Sequence, residues 1–260
     1  MTAGITIAID AMSGDDGPEI VVPAALAYLQ KKAQESLLSI DSKTDADKAF
    51  NIILVGDQDK LGALLFDQNN LDKVSNASPG FSSSSKLPSN LSIVHAETVV
   101  EMHDRPSIVL RQKRDSSMAV ALQLVKDGKA DACVSAGNTG ALMILGRAIL
   151  GTYPGIDRPA ITKMFPSQGG GTFVLDLGAN VDSSAEHLLQ FAIMGQLLAK
   201  IIKGIERPKV ALLNVGGESI KGNEQVRLAA SLIEDSELVN YVGFAEGGDI
   251  FRSKADVIVC

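Results

Sequence analysis

Short runs of Val, Ile and Leu alternate along this chain with longer stretches whose apolar positions recur at helical spacing. Runs at residues 5–10, 51–55, 91–94, 132–134, 161–165, 172–176 and 210–214 predict strands. The stretches at 18–34, 61–66, 106–126, 141–150, 185–202 and 224–233 predict helices, with an interruption at Asp115-Ser116-Ser117 inside the third. Pro18 suits a helix start, where its missing N–H has no intrahelical partner. Residues 36–48 are polar and predict a loop. Residues 67–90 contain a serine-rich stretch that predicts a surface insertion. The last residues, Asp256-Val-Ile-Val-Cys260, have the composition of a central strand. Its neighbours are expected beyond residue 260, so a C-terminal portion of the domain is expected to be missing. Strands alternating with helices predict parallel βαβ units, an α/β fold. No internal repeat is present, and residues 1–260 are read as a single α/β domain.

Composition narrows the function. The chain has 260 residues, 45% hydrophobic and 4% aromatic, with no Trp. Its core is therefore aliphatic, as buried parallel strands require, and stacking-based binding of single-stranded nucleic acid is disfavoured. A net charge of −7 disfavours a broad nucleic-acid face. Two cysteines, Cys133 and Cys260, give neither a disulfide framework nor zinc spacing and suit a reducing cytoplasm. No signal peptide or apolar run of spanning length is visible. Glycine-rich dinucleotide, Walker and zinc-protease motifs are absent, and so is a serine-hydrolase elbow.

What remains is a set of small-residue loops following strands. Ser135-Ala-Gly-Asn138-Thr139-Gly140 precedes a helix. Ser135, Asn138, Thr139 and the helix N–H groups suit an anion, whereas Asn138 or Thr139 as a plain cap is an equal reading. Arg158, in Gly155-Ile-Asp-Arg-Pro159, suits bidentate phosphate binding; a salt bridge to Asp157 is the bland alternative. Asp176-Leu-Gly-Ala-Asn180-Val-Asp182 offers Asn180 as an oxyanion donor, or simply a turn and cap. His187, near the next helix start, is a proton-transfer candidate or an ordinary helix histidine. Lys221, in Lys-Gly-Asn-Glu224, faces an anion or pairs with Glu218 or Glu224. Arg111, Lys113 and Arg114 form a basic run that suits an acidic partner, or a solvated helix face.

These words, in order, resemble the phosphate acyltransferase family of the PlsX type. The resemblance starts at Ile-Ala-Ile-Asp10-Ala-Met-Ser-Gly-Asp15 and continues through Arg111-Gln-Lys-Arg-Asp-Ser-Ser-Met118 and Val134-Ser-Ala-Gly-Asn-Thr-Gly-Ala-Leu-Met143. Gly155-Ile-Asp-Arg-Pro-Ala160, Asp176-Leu-Gly-Ala-Asn-Val-Asp182, Gln190-Phe-Ala-Ile-Met-Gly195 and Lys221-Gly-Asn-Glu224 follow. Ser13 departs from it, standing where the family has a second glycine. The resemblance implies a three-layer Rossmann-like fold of mostly parallel sheet, similar to the isocitrate/isopropylmalate dehydrogenase-like and phosphate acetyltransferase folds. It implies transfer of a long-chain acyl group from acyl-acyl carrier protein to inorganic phosphate, without cofactor or metal, giving acyl-phosphate for phospholipid synthesis. Under that reading Ser135, Asn138, Thr139 and Arg158 surround phosphate, and Asn180, Lys221 and His187 are catalytic candidates. The carrier protein, itself acidic, docks on Arg111, Lys113 and Arg114, or alternatively on Lys200, Lys203, Arg207 and Lys209. A cytoplasmic homodimer in peripheral contact with the membrane, with a glycerol-3-phosphate acyltransferase as partner, is implied too. A short-chain acyl-coenzyme A enzyme and a non-catalytic phosphate-ligand or carrier-binding module are the alternatives.

Overall fold

The computed structural model describes residues 4–38, 50–67, 88–180, 182–217 and 222–260. The chain divides into two compact units, residues 1–151 and 152–260. The serine-rich stretch predicted as an insertion lies almost wholly outside the described residues, as does most of the polar 36–48 segment.

The first unit is built on four parallel strands, β1 (Ile5–Asp10), β2 (Phe50–Gly56), β3 (Leu91–His95) and β4 (Ala132–Ser135), in the order β3-β2-β1-β4. Parallel strands need helical crossovers; among the described residues this unit has five helices, the first four lying between strands and the last following β4. They are α1 (Pro18–Leu38), α2 (Gln58–Leu65), α3 (Pro106–Gln112), α4 (Ser117–Lys126) and α5 (Thr139–Leu150). Val22, Leu26 and Leu29 of α1 and Leu61 and Leu65 of α2 bury against Ile52 and Leu54. Ala121 and Leu124 of α4 pack with Ala8 and Val55. Met118, Leu122 and Leu145 join α3, α4 and α5. The helix predicted over 106–126 is thus two helices. Ser116 ends the break between them by capping Ala119 N–H.

The second unit has the sheet order β5-β6-β9-β7-β8. Its strands are β5 (Thr162–Phe165), β6 (Thr172–Leu175), β7 (Val210–Leu213), β8 (Tyr241–Ala245) and β9 (Val257–Val259). All pairs are parallel except β5–β6. The loop of residues 166–171 is too short for a crossover, so those two strands form a hairpin. α6 (Ala185–Lys203) and α7 (Glu224–Ser236) cover one face, burying Phe191, Ala192 and Ile233 against Leu175, Val210, Val257 and Val259. At Gly195 a Cβ would stand 2.6 Å from Val257 Cγ1, so glycine lets α6 lie close on the sheet. Ala211, Ala245, Ala255 and Ile258 form the small-residue core of the opposite face.

β9 corrects one expectation. Both its neighbours, β6 and β7, precede it in the chain rather than follow residue 260. β8 goes unpredicted because its apolar run is broken by Gly243 and it lies at the edge of the sheet.

Candidate functional site

In the first unit the strand order reverses between β1 and β4, and ligands in open α/β sheets bind beyond the carboxyl ends of strands at such a point. Two loops lie there. Asp10 ends β1 and is buried; it accepts hydrogen bonds from Met12 N–H and Ser13 N–H, each at 3.3 Å, and from Ser135 Oγ at 2.7 Å. Ser135 Oγ in turn accepts Gly137 N–H at 3.1 Å. Asp10 therefore ties the β1 and β4 loops together, and the Ser135 hydroxyl proton is already committed to it. Gly137 is dictated by packing: a Cβ there would stand 2.5 Å from Ser13 Cβ.

Asn138 is the cap of α5. Its Oδ1 accepts Ala141 N–H at 3.0 Å, and its Nδ2 donates to the carbonyls of Met102 and Asp104 at 3.0 and 2.9 Å. The bland reading of Asn138 is the observed one, and its side chain orders the 101–104 loop. The first N–H groups of a helix have no intrahelical partner. Those of Thr139 and Gly140 have no protein partner among the described residues, and Thr139 itself is exposed. These groups, rather than the amide of Asn138, are what the loop offers an anion.

In the second unit a crevice of about 710 Å³ opens at the carboxyl end of β6, lined by Asp176, Asn180, Ser184, His187, Asn223 and Gln225. Asp176, 7% exposed, is its hub. Oδ1 accepts Ile161 N–H at 2.8 Å and Ala179 N–H at 3.3 Å; Oδ2 accepts Asn180 N–H at 2.7 Å and Asn180 Nδ2 at 2.8 Å. Asn180 Nδ2 also donates to Pro159 O at 3.2 Å, and Asn180 Oδ1 faces Arg158 Nη1 at 3.5 Å. Asp157 does not pair with Arg158. It accepts Gln190 Nε2 at 2.7 Å, while its N–H donates to Gln190 Oε1 at 2.8 Å. Ser184 caps α6, and His187 Nδ1 accepts the Ser184 N–H at 3.2 Å, completing a capping box. That contact places the proton of neutral His187 on Nε2. At the same terminus Ala185 N–H donates to Gln225 Oε1 at 3.1 Å.

Neither cysteine is a ready nucleophile. Burial, reinforced by Asp10, pushes the Cys133 thiol up to about 12. Burial and then Asp176 also raise the Cys260 thiol, which donates to Asp176 O at 3.2 Å. Among the described residues no group of three His, Cys, Asp or Glu is arranged to hold a metal ion.

The four residues predicted around phosphate divide between the units: Ser135, Asn138 and Thr139 in the first, Arg158 in the second. Arg158, Asn180 and Asp176 come together. Lys221 lies outside the described residues. Of the predicted dock, Arg111 and Arg114 are exposed, whereas Lys113 is committed to Asp104 at 2.5 Å and to Val99 O at 2.7 Å. In the alternative run, Lys200 pairs with Glu206 and Lys203 with Asp256. Asp10 and Asp176 escape the sequence reading as site residues. Their shared signal, an acid closing an apolar run just before a glycine-bearing loop, is present in both places.

The family model described as fatty acid synthesis protein matches residues 5–260. The chain belongs to this family. It is 49% identical over 256 residues to a phosphate acyltransferase of Marinobacter nauticus, covering 98% of this chain and 65% of that protein. The chain thus spans about two thirds of the length of the curated relatives it matches. Among solved structures it resembles the EutD phosphotransacetylase from Staphylococcus aureus, with a TM-score of 0.54, 16% identity, and coverage of 98% of this chain and 77% of that one. It also resembles a 4-hydroxythreonine-4-phosphate dehydrogenase from Burkholderia phymatum, with a TM-score of 0.52, 14% identity, and coverage of 100% of this chain and 80% of that one. These likenesses establish for the family member described here the Rossmann-like α/β fold expected from its sequence.

Proposed function

We propose that this chain carries the acyl-transfer chemistry of a phosphate acyltransferase that moves a long-chain fatty acyl group from acyl-acyl carrier protein to inorganic phosphate. One observation carries the mechanism: the loops offer donors for an anion, while both thiols are half-buried in surroundings that raise them above the usual thiol range. A site of this kind suits a reactant that is itself the nucleophile. A phosphate oxygen forms the bond to the acyl carbon, the carbon–sulfur bond breaks, and the carrier thiolate leaves and takes up a proton. The protein's contribution is then positioning and charge stabilisation. In the first unit the free N–H groups of Thr139 and Gly140 and the Thr139 hydroxyl are proposed anion ligands, with Ser135 and Asn138 shaping the loop. In the second, Arg158 is the proposed phosphate ligand. His187, with its proton on Nε2, is proposed to donate a hydrogen bond to a substrate oxygen.

The acidic carrier protein would meet Arg111 and Arg114. The resemblance extends to a homodimer, peripheral membrane contact and a glycerol-3-phosphate acyltransferase partner in the cytoplasm. Exposed Leu197, Ile201 and Ile202 on α6 support an apolar contact surface of that kind. No helix among the described residues is long and apolar enough to cross a membrane.

Steady-state thiol release from acyl-acyl carrier protein, with and without phosphate, tests the reading. Phosphate-dependent release with long-chain acyl-phosphate as product supports it. Activity only with short-chain acyl-coenzyme A, or phosphate binding without turnover, would replace it with one of the two alternatives.

A further inference from the structure

Neutral carboxamides have two side-chain N–H donors and one acceptor oxygen. Both donors of Asn180 are in use, on Asp176 Oδ2 at 2.8 Å and on Pro159 O at 3.2 Å. Asn180 therefore has no side-chain N–H left for a substrate oxygen. Its backbone N–H is likewise held by Asp176, at 2.7 Å. The group left to act is Oδ1, and it faces the Arg158 guanidinium at 3.5 Å, a long contact.

Arg158 occupies a segment pinned on both sides. Before it, Asp157 is clasped by Gln190 through two hydrogen bonds. After it, Ile161 N–H is held by Asp176 at 2.8 Å, and Leu177 N–H donates to Ile161 O at 3.1 Å. Between these pins Arg158 is exposed, and among the described residues it has no ion-pair partner. An arginine held by its backbone, touched only by a neutral acceptor and left without a carboxylate keeps most of its five N–H donors for an anion.

We infer that Asp176 and Asn180 are positioning residues for Arg158. The Asp176 carboxylate fixes the orientation of the Asn180 amide, so that Oδ1, not Nδ2, is turned toward the guanidinium. Asn180 Oδ1 then holds one edge of Arg158, and the opposite donors point at a tetrahedral oxyanion, for which inorganic phosphate is the probe. The assignment rests on the proposed phosphate chemistry and changes one role within it: Asn180 does not donate to the reacting carbonyl. A neutral partner is the fitting choice, because a carboxylate at that position would compete with phosphate for Arg158.

The test compares Asn180→Ala, Arg158→Ala and the double variant in phosphate-dependent thiol release, with calorimetric titration of inorganic phosphate alongside. Circular dichroism melts check that each variant folds, and half-buried Asn180 is the safer truncation than Asp176. Asn180→Ala should raise the phosphate KM and Kd by about tenfold, with kcat changed by less than about twofold, the scale of one weakened charge-assisted hydrogen bond. The double variant should match Arg158→Ala alone, because Asn180 acts through Arg158. A fall in kcat at saturating phosphate with KM unchanged, or effects that multiply in the double variant, would make Asn180 a direct oxyanion donor and overturn the assignment. Unchanged phosphate affinity in Asn180→Ala would overturn it as well. If wild-type protein binds phosphate but transfers no acyl group, the functional reading fails, and the titrations still decide the positioning claim.

Discussion

Ser13 and Gly137 show how tightly the β1 and β4 loops are fitted. The Ser13 hydroxyl is buried with no hydrogen-bond partner among the described residues. Replacing such a group by hydrogen costs nothing in lost bonds, so Ser13→Ala should be neutral or slightly stabilising in urea unfolding. Gly137→Ala forces a methyl against Ser13 Cβ and Met118 Cε. It should cost about 1–3 kcal/mol by overpacking, and a second change, Ser13→Gly, should recover part of that loss. Asn138→Ala removes a cap and strands the carbonyls of the 101–104 loop; a destabilisation of about 1–2 kcal/mol is expected in the same assay. At this scale the sequence shows residue types but not their commitments. The cap and ligand readings of Asn138 are equal in the sequence because the carbonyls that claim its amide lie far upstream in the chain. Asn180 is the same case: only folding brings Pro159 O and Asp176 onto its two donors.

Between elements, the half-buried pair of Lys203 on α6 and Asp256, the residue before β9, joins helix to sheet at 2.7 Å. Burial alone would raise the Asp256 carboxyl, but the Lys203 ammonium and the Lys209 N–H outweigh it and hold the group below its usual range. A carboxylate depressed in the folded state contributes stability above its unfolded pKa, near 4. That contribution is lost as pH falls through the lower folded value. Stability of the second unit should therefore decline on acidification below about pH 4, and Asp256→Asn should flatten that decline. A variant as acid-sensitive as wild type would remove this pair from the explanation. Most elements are legible, since buried parallel strands read as apolar runs and helices as amphipathic ones. Strand adjacency is not: the run at 256–260 announces a central strand, yet nothing in it says that β6 and β7 flank it. β5 reads as one more strand, and only the short loop after it implies the hairpin.

At the scale of the whole chain, each unit has its own hydrophobic core and its own acid-anchored loop, Asp10 in one and Asp176 in the other. Phe191 is fully buried at the centre of the second core. Phe191→Ala should cost about 3–5 kcal/mol, and hydrogen exchange should quicken in β6, β7 and β9 before it does in β1, β2 and β4. Equal acceleration in all six strands would show that the two cores open as one cooperative body. The functional claim at this scale is direct attack by phosphate with no acylated protein. Its most direct test is the first turnover, with protein and acyl-acyl carrier protein at comparable concentrations and phosphate withheld, followed by rapid quenching, thiol titration and intact-protein mass. Direct transfer predicts no thiol burst and no mass increase until phosphate is added, then thiol and acyl-phosphate appearing together. A stoichiometric thiol burst without phosphate, with the acyl mass on the protein, would contradict it.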